Sequence, residues 1–199
     1  LGSLRASCFN GSTMVPPGEE EFALVNRHRG FHFVTRETFE QARERCPGAV
    51  YLTNPVNMRR FAVSPLTRDR IVACWNGNAR HAGAGVVDSK RLDSIVRPAC
   101  AKAGVELRVA EYHTSRLSPS EMPAFYQQAN VALCASMFEG ASSSVMEAMA
   151  AGLAVIATDV GNHREIHEAQ MAEFGDSGVL LVEPSVEAFA DALASLTPE

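Results

Sequence analysis

The sequence lacks the features of a membrane-spanning, secreted or nucleic-acid-binding protein. No apolar run approaches the length that crosses a bilayer, and the first residues do not resemble a signal peptide. Positive charge is not in excess, because 18 Lys and Arg stand against 23 Asp and Glu, for a formal net charge of −5. Nucleic acid and anionic membranes need a basic surface, so we expect neither as a general partner.

Cysteines are few and show no regular pattern. The five cysteines are scattered and odd in number, and no C-x-x-C occurs. Cys74 and Cys134 lie inside predicted buried strands, where a thiol serves as a small apolar filler. We therefore expect reduced thiols and a cytoplasmic protein.

Several nucleotide-binding and hydrolase motifs are also missing. No G-x-G-x-x-G opens a helix directly after a strand, because Gly83-x-Gly85 lies too far beyond its strand and lacks the third glycine. No P-loop and no G-x-S-x-G occurs. A nicotinamide dehydrogenase of the usual kind is therefore disfavoured, although it stays open as a third hypothesis.

The composition is that of a globular protein, with 46% hydrophobic and 21% charged residues in 199. This length suits one good core, or one domain with part of another. From residue 71 onward, five or six short apolar segments alternate with amphipathic helical segments. This alternation predicts an α/β fold with a doubly wound parallel sheet.

The most informative stretch runs from Asn130 to Glu168. It reads as a buried strand over 131–135, a polar loop, a helix, and a second buried strand over 153–158. Ser142, Ser143 and Ser144 can cap the helix at its start, and Gly152 suits its end. The result is a strand–loop–helix–strand unit.

Two carboxylates flank the start of this helix. Glu139 follows the first strand, and Glu147 lies eight residues further on, about one turn into the helix. The backbone N–H groups of residues 140–144 (Gly140, Ala141 and the three serines) lie between them. Because helix N-termini bind anions, a diphosphate can rest there with a carboxylate on each side for sugar hydroxyls. The pattern therefore suits a nucleotide sugar.

Four motifs in this stretch together resemble a known enzyme family. They are Ser136-x-x-Glu139-Gly140, the Glu139-x7-Glu147 pair, Glu147-Ala148-Met149-Ala150-x-Gly152, and the run from Val155 to Ile166 with Gly161 and Glu165. In this order they are similar to the donor-binding half of the retaining, family-4-type GT-B glycosyltransferases. The resemblance implies the GT-B C-terminal Rossmann-like domain and transfer of a sugar from a nucleoside diphosphate to a carbohydrate or lipid-linked acceptor.

The resemblance also implies residue roles. It implies that Glu139 binds the hydroxyls of the donor sugar, that Glu147 binds the ribose hydroxyls, and that Lys90 binds the phosphate of the leaving group. Gly77 opens the glycine-rich loop that would approach the diphosphate. The family usually has an arginine about five residues before its lysine; here the preceding arginine is Arg80, ten residues away, so Arg80 or Arg91 would substitute.

The N-terminal part of the sequence resembles the end of the other GT-B domain. Asn54-Pro55-Val56-Asn57-x-x-x-Phe61 is similar to the N-G-V-D…F segment with which these transferases leave their N-terminal domain. We therefore expect residues 1–66 to be the tail of an acceptor-side domain with its linker, and 67–199 to be the donor-binding domain. A complete GT-B enzyme is about twice as long, so most of the N-terminal domain is expected to be missing.

No metal site is expected. The D-x-D motif of metal-dependent GT-A transferases is absent. His163-x3-His167 places two imidazoles on one helical face, but no third ligand is evident, and we interpret both as solvated helix residues.

Two hypotheses of different functional class therefore rank above the dehydrogenase hypothesis. The first is the donor-binding half of a glycosyltransferase, which we expect to be inactive or weakly active alone. The second is a non-catalytic nucleotide- or partner-binding module with a degenerate site, which the displaced arginine favours. The sequence does not choose the base, the sugar or the acceptor.

Overall fold

The computed structural model describes residues 7–8, 31–61, 69–79 and 88–197. The first two ranges form a small parallel sheet in the order β1-β2-β3. Its elements are β1 (Ser7–Cys8), β2 (Phe31–Phe33), α1 (Arg36–Ala42) and β3 (Ala49–Tyr51). Thr35 caps α1 through a hydrogen bond from the Thr38 N–H to its hydroxyl, as its position before Glu37 predicts.

A larger sheet of five parallel strands follows, in the order β5-β4-β6-β7-β8. The strands are β4 (Val72–Gly77), β5 (Glu106–Glu111), β6 (Val131–Cys134), β7 (Ala154–Ala157) and β8 (Val179–Leu181). The α-helices between and after them are α2 (Arg97–Ala103), α3 (Met122–Tyr126), α4 (Ser143–Ala150), α5 (His163–Phe174) and α6 (Val186–Ser195). This confirms the α/β parallel fold that the alternating pattern predicts.

The strand order reverses between β4 and β6. From β4 the chain first adds β5 on one side and then returns to place β6 on the other. At such a switch point the loops leaving two strands diverge, and ligands bind in the crevice beyond the carboxyl ends of those strands. Those ends are Gly77 and Cys134, so the fold itself indicates where a ligand would lie.

Each face of the larger sheet has its own apolar layer. One face buries Val145 and Ala148 of α4 with Phe125 and Tyr126 of α3. The opposite face buries Trp75 and Leu92 together with residues of α2 and α6, among them Ala99, Phe189 and Leu193.

One predicted helix differs in its first turn. The sequence places Lys90 at a helix start, but a turn over 88–90 precedes Arg91, and the chain then forms a π-helical turn, Leu92–Val96, before α2. Pro98 lies in the first turn of α2, where its missing N–H costs no hydrogen bond. The segment therefore begins with a π-helical turn and continues as a regular α-helix.

Among the described residues, the part of the chain that carries the smaller sheet contacts the larger sheet at several points. The Phe61 ring lies edge-on to Tyr126, with 5.9 Å between centroids, and is buried in the core of the larger sheet. The Arg36 N–H donates to Glu165 at 3.1 Å, and the Asn54 amide donates to the Ala141 carbonyl at 3.3 Å. The predicted boundary at residue 66 lies outside the described residues. Within the described ranges, the helices are all too short or too polar to cross a membrane.

Candidate functional site

Lys90 and Glu139 form an ion pair at the carboxyl edge of the larger sheet. The Lys90 Nζ lies 2.5 Å from Glu139 Oε1, and the two side chains are 19% and 13% exposed. The Ser136 hydroxyl donates to the same carboxylate oxygen at 2.7 Å. These residues are 49 positions apart, so the structure brings together the two side chains to which the resemblance gives the reacting end of the donor.

A turn before the π-helical segment positions Lys90. Asp88 and Arg91 both have left-handed backbone conformations, with φ of 59° and 51°. The Asp88 carboxylate accepts the Ser94 N–H, and the Ser89 carbonyl accepts the Met137 N–H at 2.9 Å. Strained backbone persists only where its surroundings hold it. Here the first bond fixes the turn to the π-helical segment, and the second joins it to the Glu139 loop.

The loop that carries Glu139 is fixed against the turn before α5. Asn162 donates its N–H to the Gly140 carbonyl and accepts the Ser142 N–H on its side-chain oxygen, both at 3.0 Å. Gly161, at φ +59°, allows this close approach, because a Cβ there would lie 2.3 Å from the Gly140 oxygen. The sequence predicted a glycine turn at this point but not the clamp formed by Asn162.

The start of α4 offers backbone donors to a ligand, though not all of the expected ones. The Ser142 side chain makes no capping bond to the helix and instead lies 3.1 Å from the Ser144 hydroxyl. The expectation that Ser142 offers its N–H to a ligand does not fit the structure, because that group donates to Asn162. The first N–H groups of a helix have no partner within it, so those of Ser143 and Ser144 remain suited to an anion.

Glu147 belongs to a separate, partly buried network. The Tyr126 hydroxyl lies 3.2 Å from Glu147 Oε2, 3.2 Å from the Ser144 carbonyl and 3.0 Å from the Asn76 side-chain oxygen. Burial raises the pKa of the Glu147 carboxyl, and the Tyr126 bond and the charge of Arg60 only partly offset this. Tyr126 therefore connects the end of β4 with the start of α4 and fixes the carboxylate.

Sequence reasoning missed the role of Tyr126 because a tyrosine in an apolar helix is usually a core residue. It also missed Glu111, which ends β5 and is buried. The Glu111 carboxylate accepts the His113 N–H at 2.9 Å and the Thr114 hydroxyl at 3.0 Å. Burial acts to raise the pKa of Glu111, but these bonds, with others from backbone N–H groups, hold it below its usual value. No sequence pattern indicated this loop anchor.

The prediction that His163 and His167 are solvated helix residues was wrong. His163 is fully buried, and its Nδ1 lies 2.7 Å from the Thr158 carbonyl. His167 is half-buried, with Nδ1 2.8 Å from the Val179 carbonyl. Both rings face the sheet because α5 packs against β8 and the end of β7. Across the ranges that the structure describes, three or more ligand-type side chains nowhere cluster as a metal site would need.

The remaining predicted residues are placed only in part. Gly77 ends β4 at the expected edge, opposite Glu111 in the sheet register. Arg80 and the glycines at 83 and 85 lie outside the described residues. Arg91 has its left-handed backbone next to Lys90, and whether it or Arg80 serves the phosphate stays a prediction.

A cleft of about 680 Å³ lies between α1 and α5. Its walls carry charged side chains from both helices: Arg36, Glu37, Glu40, Arg164, Glu165 and Glu168. Gly161 also lines it and is the point at which the cleft reaches the loop of Glu139.

Comparison with protein families assigns residues 101–198 to the family described as Glycosyl transferases group 1. A search of curated proteins found no match. Among solved structures, TarM from S. aureus, in complex with Fondaparinux, alpha-GlcNAc-glycerol and UDP, is similar with a TM-score of 0.67 and 14% identity. The match covers 89% of this chain and 38% of that one.

Two further structures have the same fold. Starch synthase IV from Arabidopsis thaliana, bound to ADP and acarbose, has a TM-score of 0.60 and 10% identity over 86% of this chain and 48% of its own. Sucrose-phosphate synthase from Thermosynechococcus elongatus has a TM-score of 0.58 and 16% identity over 87% and 50%. These neighbours are GT-B glycosyltransferases, and this chain spans half of their length or less.

Proposed function

We propose that this chain is mainly the donor-binding half of a retaining transferase that uses a nucleoside-diphosphate sugar, because residues 101–198 match the glycosyl transferases group 1 family and the fold is that of GT-B structures. The observation that carries this proposal is the Lys90–Glu139 pair at the switch point of the sheet, beside the uncapped start of α4. A cation, a carboxylate and free helix N–H groups are together the groups that a sugar diphosphate needs.

The chemistry requires negative charge to be stabilised on the departing diphosphate. In our proposal Lys90 and the N–H groups of Ser143 and Ser144 take up that charge. Glu139 orients the sugar through its hydroxyls, and Glu147 binds the ribose. No carboxylate needs to act as a nucleophile, because the leaving phosphate can deprotonate the acceptor on the same face of the sugar, as in the resembled family.

The acceptor would enter through the cleft between α1 and α5, which Gly161 links to the Glu139 loop. Most acceptor contacts would come from the other domain of a GT-B transferase. We therefore propose that the chain binds nucleotide but transfers sugar weakly or not at all. Sugar transfer by the purified chain at an ordinary enzymatic rate would contradict this part of the proposal.

We also propose that no divalent metal is needed and that the protein is cytoplasmic. In the absence of any metal requirement, binding should be unchanged by a chelator. Four of the five cysteines, Cys46, Cys74, Cys100 and Cys134, are buried and unpaired, which suits a reducing compartment.

Calorimetry of the chain against UDP, GDP, ADP and NAD, with a chelator present, tests the donor site. We expect one nucleoside diphosphate to bind and the Glu147→Ala variant to lose at least about tenfold in affinity, which is about 1.4 kcal/mol. Glu173→Ala, which removes an exposed glutamate from the far end of α5, is the matched control and should bind normally.

The other outcomes distinguish the alternatives. Nucleotide binding that survives Glu147→Ala would indicate a non-catalytic module whose ribose contact is lost. Preference for NAD would support a different Rossmann enzyme. Failure of all four to bind would contradict a competent donor site in this chain.

A further inference from the structure

His163 is a buried titratable group that the proposed chemistry does not use. Its ring is fully buried, and Nδ1 lies 2.7 Å from the Thr158 carbonyl. Because a carbonyl can only accept, Nδ1 carries a hydrogen whether the ring is neutral or charged. The protonation state of His163 is therefore decided at Nε2 alone.

Nε2 faces the loop of Glu139 through a single side chain. It lies 3.9 Å from the Cys134 Sγ, which in turn lies 3.9 Å from Glu139 Oε1 and 3.5 Å from the Ser136 hydroxyl. The thiol has one hydrogen to donate. When Nε2 is unprotonated, it can accept the thiol hydrogen. When Nε2 is protonated, it donates to sulfur, and the thiol hydrogen turns toward Glu139.

Glu139 needs a second hydrogen-bond partner because the ammonium group of Lys90 is required both by Glu139 and by the donor diphosphate. In the ligand-free protein the lysine lies 2.5 Å from the carboxylate. In the proposed function the same ammonium group must serve the donor diphosphate. When it turns to the phosphate, a carboxylate only 13% exposed loses most of its countercharge.

We propose that His163 is a positioning residue for Glu139, and that it takes up a proton when Lys90 turns to the diphosphate, so that a charged imidazole holds the carboxylate through Cys134. This inference rests on the proposed function and names how the donor site keeps its charge balance. It predicts that donor binding is coupled to proton uptake at a residue that never touches the donor.

The titratable surroundings favour the charged ring. The groups that face His163 are Cys134 from β6 and Glu139 from the following loop, while Lys90 lies on the far side of Glu139. On its own element, Arg164 pairs with Asp159 and Glu168 at the surface. Burial acts to lower the pKa of His163, but the thiol, the Thr158 carbonyl and Glu139 raise it above its ordinary value.

Cys134 itself is a possible source of the proton. Burial acts to raise the pKa of this thiol, but the charge and hydrogen bond of His163 bring it below its ordinary value. A proton passed from sulfur to nitrogen would not be taken from solvent. The test must therefore distinguish uptake from solvent and transfer within the pair.

Calorimetry in two buffers of different ionisation enthalpy measures proton uptake directly. The probes are UDP-glucose, GDP-mannose and ADP-glucose, whose diesterified diphosphates do not titrate near neutral pH. We expect the wild-type protein to take up as much as one proton per sugar nucleotide bound. Above the pH at which His163 loses its proton, the affinity for the sugar nucleotide should fall by at most about tenfold per pH unit.

Variants locate the proton. His163→Asn keeps a donor for the Thr158 carbonyl but cannot ionise, so uptake should vanish. His167→Asn, which also faces a carbonyl and lies four residues along the same helix, should keep full uptake. Cys134→Ser should keep it as well, since the proton comes from solvent. Unchanged uptake in His163→Asn, or its loss in Cys134→Ser, would overturn the proposal.

A ligand-free measurement keeps the inference separate from the proposed function. Titration of the imidazole signals by NMR should give a lower midpoint for His163 in Glu139→Gln than in the wild type. An unchanged His163 midpoint would contradict the coupling to Glu139. If none of the three sugar nucleotides binds but the midpoint shifts, the proposed function fails and the His163–Glu139 coupling stands.

Discussion

Gly161 is the residue on which the shape of the site depends most directly. A Cβ at this position would lie 2.3 Å from the Gly140 oxygen and 2.8 Å from the Glu139 Cβ. Its φ of +59° adds a conformational cost for any other residue. Both obstacles are backbone or near-backbone atoms, which cannot move aside without shifting the Glu139 loop.

We predict that Gly161→Ala destabilises the protein by about 3 kcal/mol, from overpacking and left-handed strain together. Gly175, at φ +72° with nothing within 4 Å, is the matched control. Gly175→Ala should cost only about 1 kcal/mol, because strain acts there without a clash. Urea unfolding of both variants measures the difference, and equal losses would contradict the close approach at Gly161.

A second prediction concerns Glu147, whose ionised carboxylate is proposed to bind nucleotide but is expected to destabilise the folded protein. Its folded-state pKa is raised by burial, so the protonated form is favoured in the folded protein. The resulting stability is present below the unfolded pKa, near 4.5, and is lost as the pH rises through the folded value. At neutral pH the ionised carboxylate therefore lowers the free energy of unfolding.

We expect Glu147→Gln to raise the melting temperature at pH 7 and to leave it nearly unchanged at pH 3, where the carboxyl is protonated in both the folded and the unfolded protein. The same variant should lose nucleotide affinity. Thermal unfolding at the two pH values, with calorimetry at pH 7, makes the comparison. A lower melting temperature at pH 7 would mean that the charge itself is stabilising where it lies.

Among the elements, two serines at helix starts have different tasks. The Ser185 hydroxyl accepts the Ala188 N–H at 3.1 Å and so caps α6. Ser142 makes no such bond to α4. Ser185→Ala should therefore cost about 1 kcal/mol, while Ser142→Ala should cost no more than about 0.5 kcal/mol. Chemical unfolding of the two variants measures this, and the reverse order would show that Ser142 is the stronger cap.

The strands and most helices could be predicted from the sequence because apolar periodicity, turn residues and caps agree along the chain. The first turn after Lys90 could not, since the left-handed Arg91 depends on bonds to Asp88 and on the loop near Met137. A pattern of apolar residues does not distinguish a π-helical turn from an α-helical one.

Residues of the site could be predicted only where they belong to a recognised motif. Glu139 and Lys90 came from the resemblance, and the structure brings them into contact. Tyr126, Asn162 and His163 were not recognised, because each acts through partners that only the fold brings near. The one available signal was a polar side chain within an apolar segment, and that signal does not show which residue the side chain contacts.

For the whole molecule, Phe61 connects the segment after the smaller sheet with the core of the larger one. Its side chain is only 4% exposed and packs on Tyr126. We predict that Phe61→Ala lowers the free energy of unfolding by about 3 kcal/mol. Phe174→Ala, at a position 70% exposed, should change it by no more than about 0.5 kcal/mol.

Differential scanning calorimetry of these two variants gives the result. Because the Tyr126 hydroxyl reaches Glu147, loss of Phe61 should also weaken nucleotide binding, whereas loss of Phe174 should not. Two separate unfolding transitions in the wild type, with only the earlier one moved by Phe61→Ala, would contradict a shared core.

The position of α6 has a consequence during synthesis. Phe189 and Leu193 of this helix cover the same face of the larger sheet as Trp75 and Leu92, which the ribosome makes about a hundred residues earlier. That face is fully covered only when α6 has emerged, so until then the nascent chain exposes part of it to chaperones or to self-association.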